Sequence, residues 1–144
     1  MHGRVMGIDL GQARIGVAVS DELRMAANPV TVIKAKSDQQ NVAEIGRLAA
    51  EHQVKDIVVG LPLNMNGSES PGSQKARAIA KMMKTETGLP VHLYDERLST
   101  VAVESVMIEA GVRRKKRKGA IDKVAATYIL QGWLDAWNRD QKED

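Results

Sequence analysis

Asp9 stands inside an apolar run, Val5-Met6-Gly7-Ile8-Asp9-Leu10, where a charge is costly unless it is paired or holds a metal ion. In a strand, Val5 and Gly7 share its face while Met6, Ile8 and Leu10 take the other. Two more carboxylates fall at comparable places, Glu96 just after an apolar strand-like stretch and Asp122 at the expected opening of the last helix. Oxygen donors with no cysteine and no histidine cluster suit Mg²⁺ or Mn²⁺ and not zinc. Two such ions about 4 Å apart activate water and stabilise the leaving oxygen in phosphodiester cleavage. Each acid also has an ordinary alternative: Asp9 as a turn-holder, Glu96 paired with Arg97, and Asp122 as a helix N-cap.

The elements that must position these acids follow from the order of apolar patterns. Val5–Leu10 and Ile15–Ser20 flank Gly11-Gln12-Ala13-Arg14, the pattern of an antiparallel hairpin. Residues 25–33 predict a third strand, which Pro29 pushes toward an edge or a bulge. Ser37 and Gln40 fit a capping box before a helix carrying Val42, Ile45 and Ala49, with His52 at its end. Residues 56–61 form a continuous apolar run of the kind covered on both faces. A polar loop, Pro62 to Gly72, follows at the strand end where ligands gather in open α/β sheets. Ala76, Ile79, Ala80 and Met83 mark a second helix that stops at Gly88 and Pro90, before a short strand, Val91–Tyr94, with His92 as a structural residue.

A helix capped by Ser99 or Thr100 and ended by Gly111 is expected next, then a last helix opening near Ala120-Ile121-Asp122. There Asp122 shares a face with Ala126, Ile129 and Trp133, at i+4, i+7 and i+11. The order β-β-β-α-β-α-β-α-α predicts an α/β mixed sheet, three antiparallel strands and then parallel ones, with helices on both faces. If the last strand lies beside the first, all three acids meet at one end of the sheet. We expect a single domain over 1–138 and a polar, fraying tail over 139–144.

Composition bounds the partners. At 144 residues, 43% hydrophobic and 27% charged, the chain is large and apolar enough for one buried core. No run reaches membrane-spanning length and no room is left for a signal peptide before the first strand, so a soluble cytosolic protein is expected. Arg113-Arg114-Lys115-Lys116-Arg117-Lys118 carries six of the 21 basic residues, and without it 15 basic residues face 18 acidic ones. That concentration fits a basic loop meeting nucleic acid ahead of a membrane surface. Phe is absent, and the few aromatics argue against a base-stacking platform.

The chain resembles the YqgF (RuvX) family of resolvases and pre-16S ribosomal RNA nucleases. The resemblance rests on Gly7-Ile8-Asp9-Leu10-Gly11 with Arg14–Asp21, Val59-Gly60-Leu61-Pro62-Leu63-Asn64 with Asn66-Gly67-Ser68-Glu69, Asp95–Thr100, and Asp122–Ala126. It implies a ribonuclease H-like fold, with Asp9, Glu96 and Asp122 as the metal-binding catalytic acids. Arg14, Arg97 and the basic block become nucleic-acid contacts. Asn66 departs from the family, where an acidic residue is expected. The implied activity is metal-dependent cleavage, first in 5′-end maturation of pre-16S ribosomal RNA and second in Holliday junction resolution. A non-catalytic RNA-binding assembly factor is the alternative from another class. An ATPase of the actin and sugar-kinase type, whose first hairpin also carries Asp-Leu-Gly, needs two such domains and a second phosphate loop.

Overall fold

The computed structural model describes residues 2–98 and 114–143, with side chains for 2–97 and 125–141. Strand β1 (Arg4–Leu10) and β2 (Arg14–Ser20) form the expected hairpin, closed by the Gly11 N–H donating to the Arg14 carbonyl at 2.9 Å. Strand β3 (Ala27–Lys34) pairs antiparallel with β2, and β4 (Val54–Leu61) and β5 (Val91–Asp95) add in parallel. The sheet order is β3-β2-β1-β4-β5. Pro29 lies on the edge strand at a register shift, where Thr31 faces Val17 and Pro29 faces Ala18. A residue without a backbone N–H is accommodated there because the ladder is already broken.

Helix α1 (Asp38–Glu51) carries the Ser37–Gln40 capping box and ends at His52, and α2 (Pro71–Thr87) runs from Ser70 to Gly88. Both cover one face of the sheet, where Met6, Ile8, Ile15, Val17, Ile57 and Val59 pack against Val42, Ile45, Ile79 and Met83. Helix α3 (Arg114–Glu143) covers the other face, setting Ala126, Ile129, Leu130 and Leu134 on Val5, Ala18 and Val58. The β1 alternation is as expected, and it leaves Asp9 on the α3 side.

Three expectations need correction. The last strand lies beside β4, not beside β1, so β4 separates the strands that lead to Asp9 and Glu96. Helix α3 is already formed at Arg114, so Arg114 to Lys118 form helical turns and not a loop. Long unbranched Lys and Arg lose little freedom in a helix, and a run of like charge marks solvation without marking coil. The helix continues through residues 139–143, past the expected start of the tail. The helix expected between Ser99 and Gly111 lies outside the described residues, as does Arg113.

Candidate active site

The α3 face of the sheet is built from small residues. An ideal Cβ at Gly7 would fall 2.6 Å from Leu130 Cβ and 3.0 Å from the Ala126 carbonyl oxygen. Only glycine lets the helix backbone come so close to β1. Asp9 follows two residues later, opposite Gly16 of β2. On the other side, β1 runs in register with β4 through Gly7–Val58 and Ile8–Val59, and the next step of that ladder sets Asp9 beside Gly60.

Glu96 reaches the same point from the far side. Tyr94 pairs with Gly60 and Asp95 with Leu61, after which the chain turns through a short 3-10 segment, Glu96–Leu98. An ideal Cβ at Gly60 would overlap Glu96 Oε2 and sit 2.7 Å from Ile129 Cδ1. Gly60 is therefore a gap in β4 that the Glu96 carboxylate fills. Neighbouring strands lie about 4.8 Å apart, so the acid on β1 and the acid beyond β5 meet across this one glycine. Burial, helped by the negative charge of Asp95, pushes the Glu96 carboxyl above the ordinary carboxylate range.

Two arginines border the acids. Arg14 precedes Gly16 by two residues, which puts it on the Asp9 face, and its Nη1 is buried with no hydrogen-bond partner among the described residues. Arg97 is engaged within the chain. Its Nε donates to both oxygens of Asp95 at 3.0 and 2.9 Å, its Nη2 to Oδ2 at 2.6 Å, and its Nη1 to the Met65 carbonyl at 3.2 Å. That fork holds the Asp95 carboxyl below its usual range. The ordinary alternative for Glu96, a pair with Arg97, thus gives way to an Asp95–Arg97 pair.

Residues 3–136 match the family model described as "RuvX: Holliday junction resolvase". The chain belongs to the RuvX family. It is 48% identical over 133 residues to a Myxococcus xanthus protein, covering 92% of this chain and 88% of that one. It is also 48% identical over 132 residues to a Moorella thermoacetica protein, covering 92% and 94%. Both relatives carry the name "Putative pre-16S rRNA nuclease". Among solved structures, Thermus thermophilus RuvC in complex with a Holliday junction substrate superposes with a TM-score of 0.59 at 19% identity, over 94% of this chain and 95% of that one. The fowlpox virus resolvase bound to Holliday junction DNA gives a TM-score of 0.56 at 11% identity, over 93% and 98%. At such identities these likenesses show the fold, the ribonuclease H-like architecture expected from the sequence.

Of the three acids singled out in this RuvX chain, Glu96 lies against Gly60 of β4, and Asp9 stands one residue past the Ile8–Val59 pair on the adjoining strand β1. Asp122 lies on α3, and its side chain is outside the described residues, as are those of Arg114 to Lys118. Among the described residues no three His, Cys, Asp or Glu side chains form a group able to hold a metal. Two contributors escaped the sequence reading. A lone glycine inside a continuous apolar strand marks close approach, and that signal could have found Gly60. The spacing of Asp95 and Arg97 could have suggested their pairing.

Proposed function

We propose that this protein is a divalent-metal-dependent nuclease that hydrolyses phosphodiesters of structured nucleic acid, acting in 5′-end processing of pre-16S ribosomal RNA. The observation that carries the proposal is the meeting of Asp9 and Glu96 across Gly60, on the face covered by α3. Position 122 lies one helical turn before Ala126, about 6 Å along the axis. Asp9 lies two residues beyond Gly7, about 7 Å along the strand. Because Ala126 sits on Gly7 and Asn138 reaches the Arg24 carbonyl at the strand's other end, α3 runs antiparallel to β1. These matched steps support Asp122 as the third acid.

The donor set fits a hard divalent cation, since it is oxygen only and the missing side chain at Gly60 lets the Glu96 carboxylate lie over β4 toward Asp9. Asp9, Glu96 and Asp122 would hold Mg²⁺ or Mn²⁺, whose chemistry when bound is activation of water and neutralisation of charge on the phosphate. The chain's own residues do the rest. Asp9 on β1 and Glu96 in the turn after β5 present like charges from either side of β4, fixed by the β1–β4 register and by that turn. Arg14, with a guanidinium nitrogen lacking a partner among the described residues, offers N–H donors for a phosphate beside the acids. The basic turns of α3 supply further cationic charge for the backbone of the nucleic acid.

Ribosomal RNA is placed ahead of DNA junctions because the relatives at 48% identity are named for pre-16S rRNA. Junction resolution remains the second reading, favoured by the family's own description. The test incubates the protein with a precursor 16S leader RNA and with a four-way DNA junction, each with and without Mn²⁺. Mn²⁺-dependent scission of the RNA is the expected result. Junction cleavage alone would favour the second reading, and binding without cleavage of either would make the protein an assembly factor.

A further inference from the structure

Arg97 looks, in the sequence, like a cation waiting for a phosphate. In the fold its donors go elsewhere. The backbone N–H of Arg97 donates to Asp95 Oδ1 at 3.0 Å, and the guanidinium grips the same carboxylate through Nε and Nη2. Residues 95 and 97 thus bracket Glu96 and close the turn that carries it. The remaining nitrogen, Nη1, donates to the Met65 carbonyl at 3.2 Å. Met65 belongs to the 62–70 loop, which is braced internally by the Gly67 N–H on the Asn64 carbonyl at 2.8 Å and the Asn64 N–H on the Ser68 carbonyl at 2.9 Å. Gly67 backs directly on the guanidinium, its ideal Cβ position 3.5 Å from Nη1.

We propose that Arg97 and Asp95 form a strut, a pair of positioning residues that locks the Glu96 turn to the 62–70 loop, and that Arg97 is not a nucleic-acid contact. Three features distinguish a strut from a phosphate ligand. The charge of Arg97 is matched by Asp95 at 2.6 Å, so little field remains to attract an anion. The pairing is a fork, which fixes orientation as well as distance. The third contact is to a backbone carbonyl, so it holds the loop whatever side chain stands at position 65. A carboxylate misplaced by about 1 Å costs roughly a hundredfold in rate, so a turn holding a reacting group gains from such a lock.

The consequence for turnover rests on the nuclease reading above, whereas the mechanical coupling does not, and the experiment separates them. Amide exchange at Asn64 and Gly67 is followed in the wild type, Arg97→Ala, Asp95→Asn and, as a control, Asp9→Asn. Faster exchange in the first two variants and none in the control is expected, whether or not the protein cleaves anything. Unchanged exchange in Arg97→Ala overturns the strut. Cleavage and binding are then measured on the same proteins. The strut predicts that Arg97→Ala and Asp95→Asn each lower kcat by about 10- to 100-fold with KM nearly constant, and that the double variant is no worse than either. It also predicts an unchanged slope of log affinity against log salt. Weaker binding by Arg97→Ala with a slope flatter by about one unit, and full activity in Asp95→Asn, would make Arg97 a phosphate contact and overturn the proposal.

Discussion

At the N-terminal ends of β1 and β4, Arg24 donates to Asp56 at 2.6 Å and to the carbonyls of Gly3 and His2 at 2.8 and 3.0 Å. His92 lies 2.9 Å from the other Asp56 oxygen, and the Arg24 guanidinium sits 4.8 Å from the Trp137 ring centroid. At the C-terminal ends of the same strands, under the same helix, Asp9 and Glu96 converge on Gly60. One end gathers opposite charges and closes them with aromatic rings. The other sets Asp9 and Glu96 on either side of a missing side chain, with Arg14 on the same face and the Asp95–Arg97 pair beside them. A set of opposite charges is complete as it stands and contributes to holding the fold together. Like charges brought close are costly unless a cation is near both, and such crowding is common where a site binds an ion.

Breaking the acidic end should have the largest effect. Asp9→Asn, Glu96→Gln or Asp122→Asn is each expected to lower kcat by about 10³-fold or more, with substrate binding largely kept. Because the acids act as one unit, double variants should be little worse than singles. A steady-state cleavage assay checks this, and wild-type turnover in any single variant removes that residue from the site. Gly60→Val should follow, since its side chain would displace Glu96 and Ile129. About a 100-fold loss of kcat with destabilisation of about 1–3 kcal/mol is expected from activity and melting measured together.

The opposite end should respond in stability and not in chemistry. Asp56→Ala leaves a buried Arg24 without its carboxylate and should cost about 3–5 kcal/mol in denaturant unfolding. Its kcat per folded molecule should stay within about twofold of wild type. A loss of kcat there as large as that of Asp9→Asn would dissolve the distinction between the ends.

A smaller effect sharpens the boundary of the stable end. Asp21 accepts hydrogen bonds from the Ala26 and Met25 N–H groups, each at 2.9 Å, and these hold its carboxyl below the usual range. A depressed folded pKa contributes stability that is present above the unfolded carboxylate value, near 3.9, and is lost as pH falls through the folded value. Asp21→Asn should therefore be less stable than wild type by about 1 kcal/mol near neutrality. Melting curves taken downward from pH 5 should show that gap closing.

The legibility of the chain followed the same division. The β1–β2 hairpin, the capping box at Ser37, the edge position of Pro29 and the side of β1 that Asp9 occupies were all readable, because each is set by residues a few positions apart. What joins Asp9 to Glu96 was not. The sequence brings the acids to one place only if the last strand lies beside the first, whereas β4 intervenes and Glu96 lies over Gly60, which has no side chain. That depends on strand order, a long-range property that local periodicity does not encode. Arg97 shows a related limit: the sequence offers it as a ligand for substrate, and its partners within the chain, Asp95 and the Met65 carbonyl, are not legible there. The basic block read as a loop because charge was taken for coil, yet Arg114 to Lys118 are helical.

A divalent cation held at the acidic end, and not at the opposite end, should show in thermal stability. Thermal unfolding of wild type, Asp9→Asn and Asp56→Asn, each with and without Mn²⁺, tests it without requiring the right substrate. At about 100 times its dissociation constant, an ion that binds only the native state adds roughly 2.7 kcal/mol, which for a domain of this size raises Tm by about 8 °C. That shift is expected in wild type and in Asp56→Asn, although the latter starts from a lower Tm, and little or none in Asp9→Asn. Equal Mn²⁺ shifts in wild type and Asp9→Asn would contradict it.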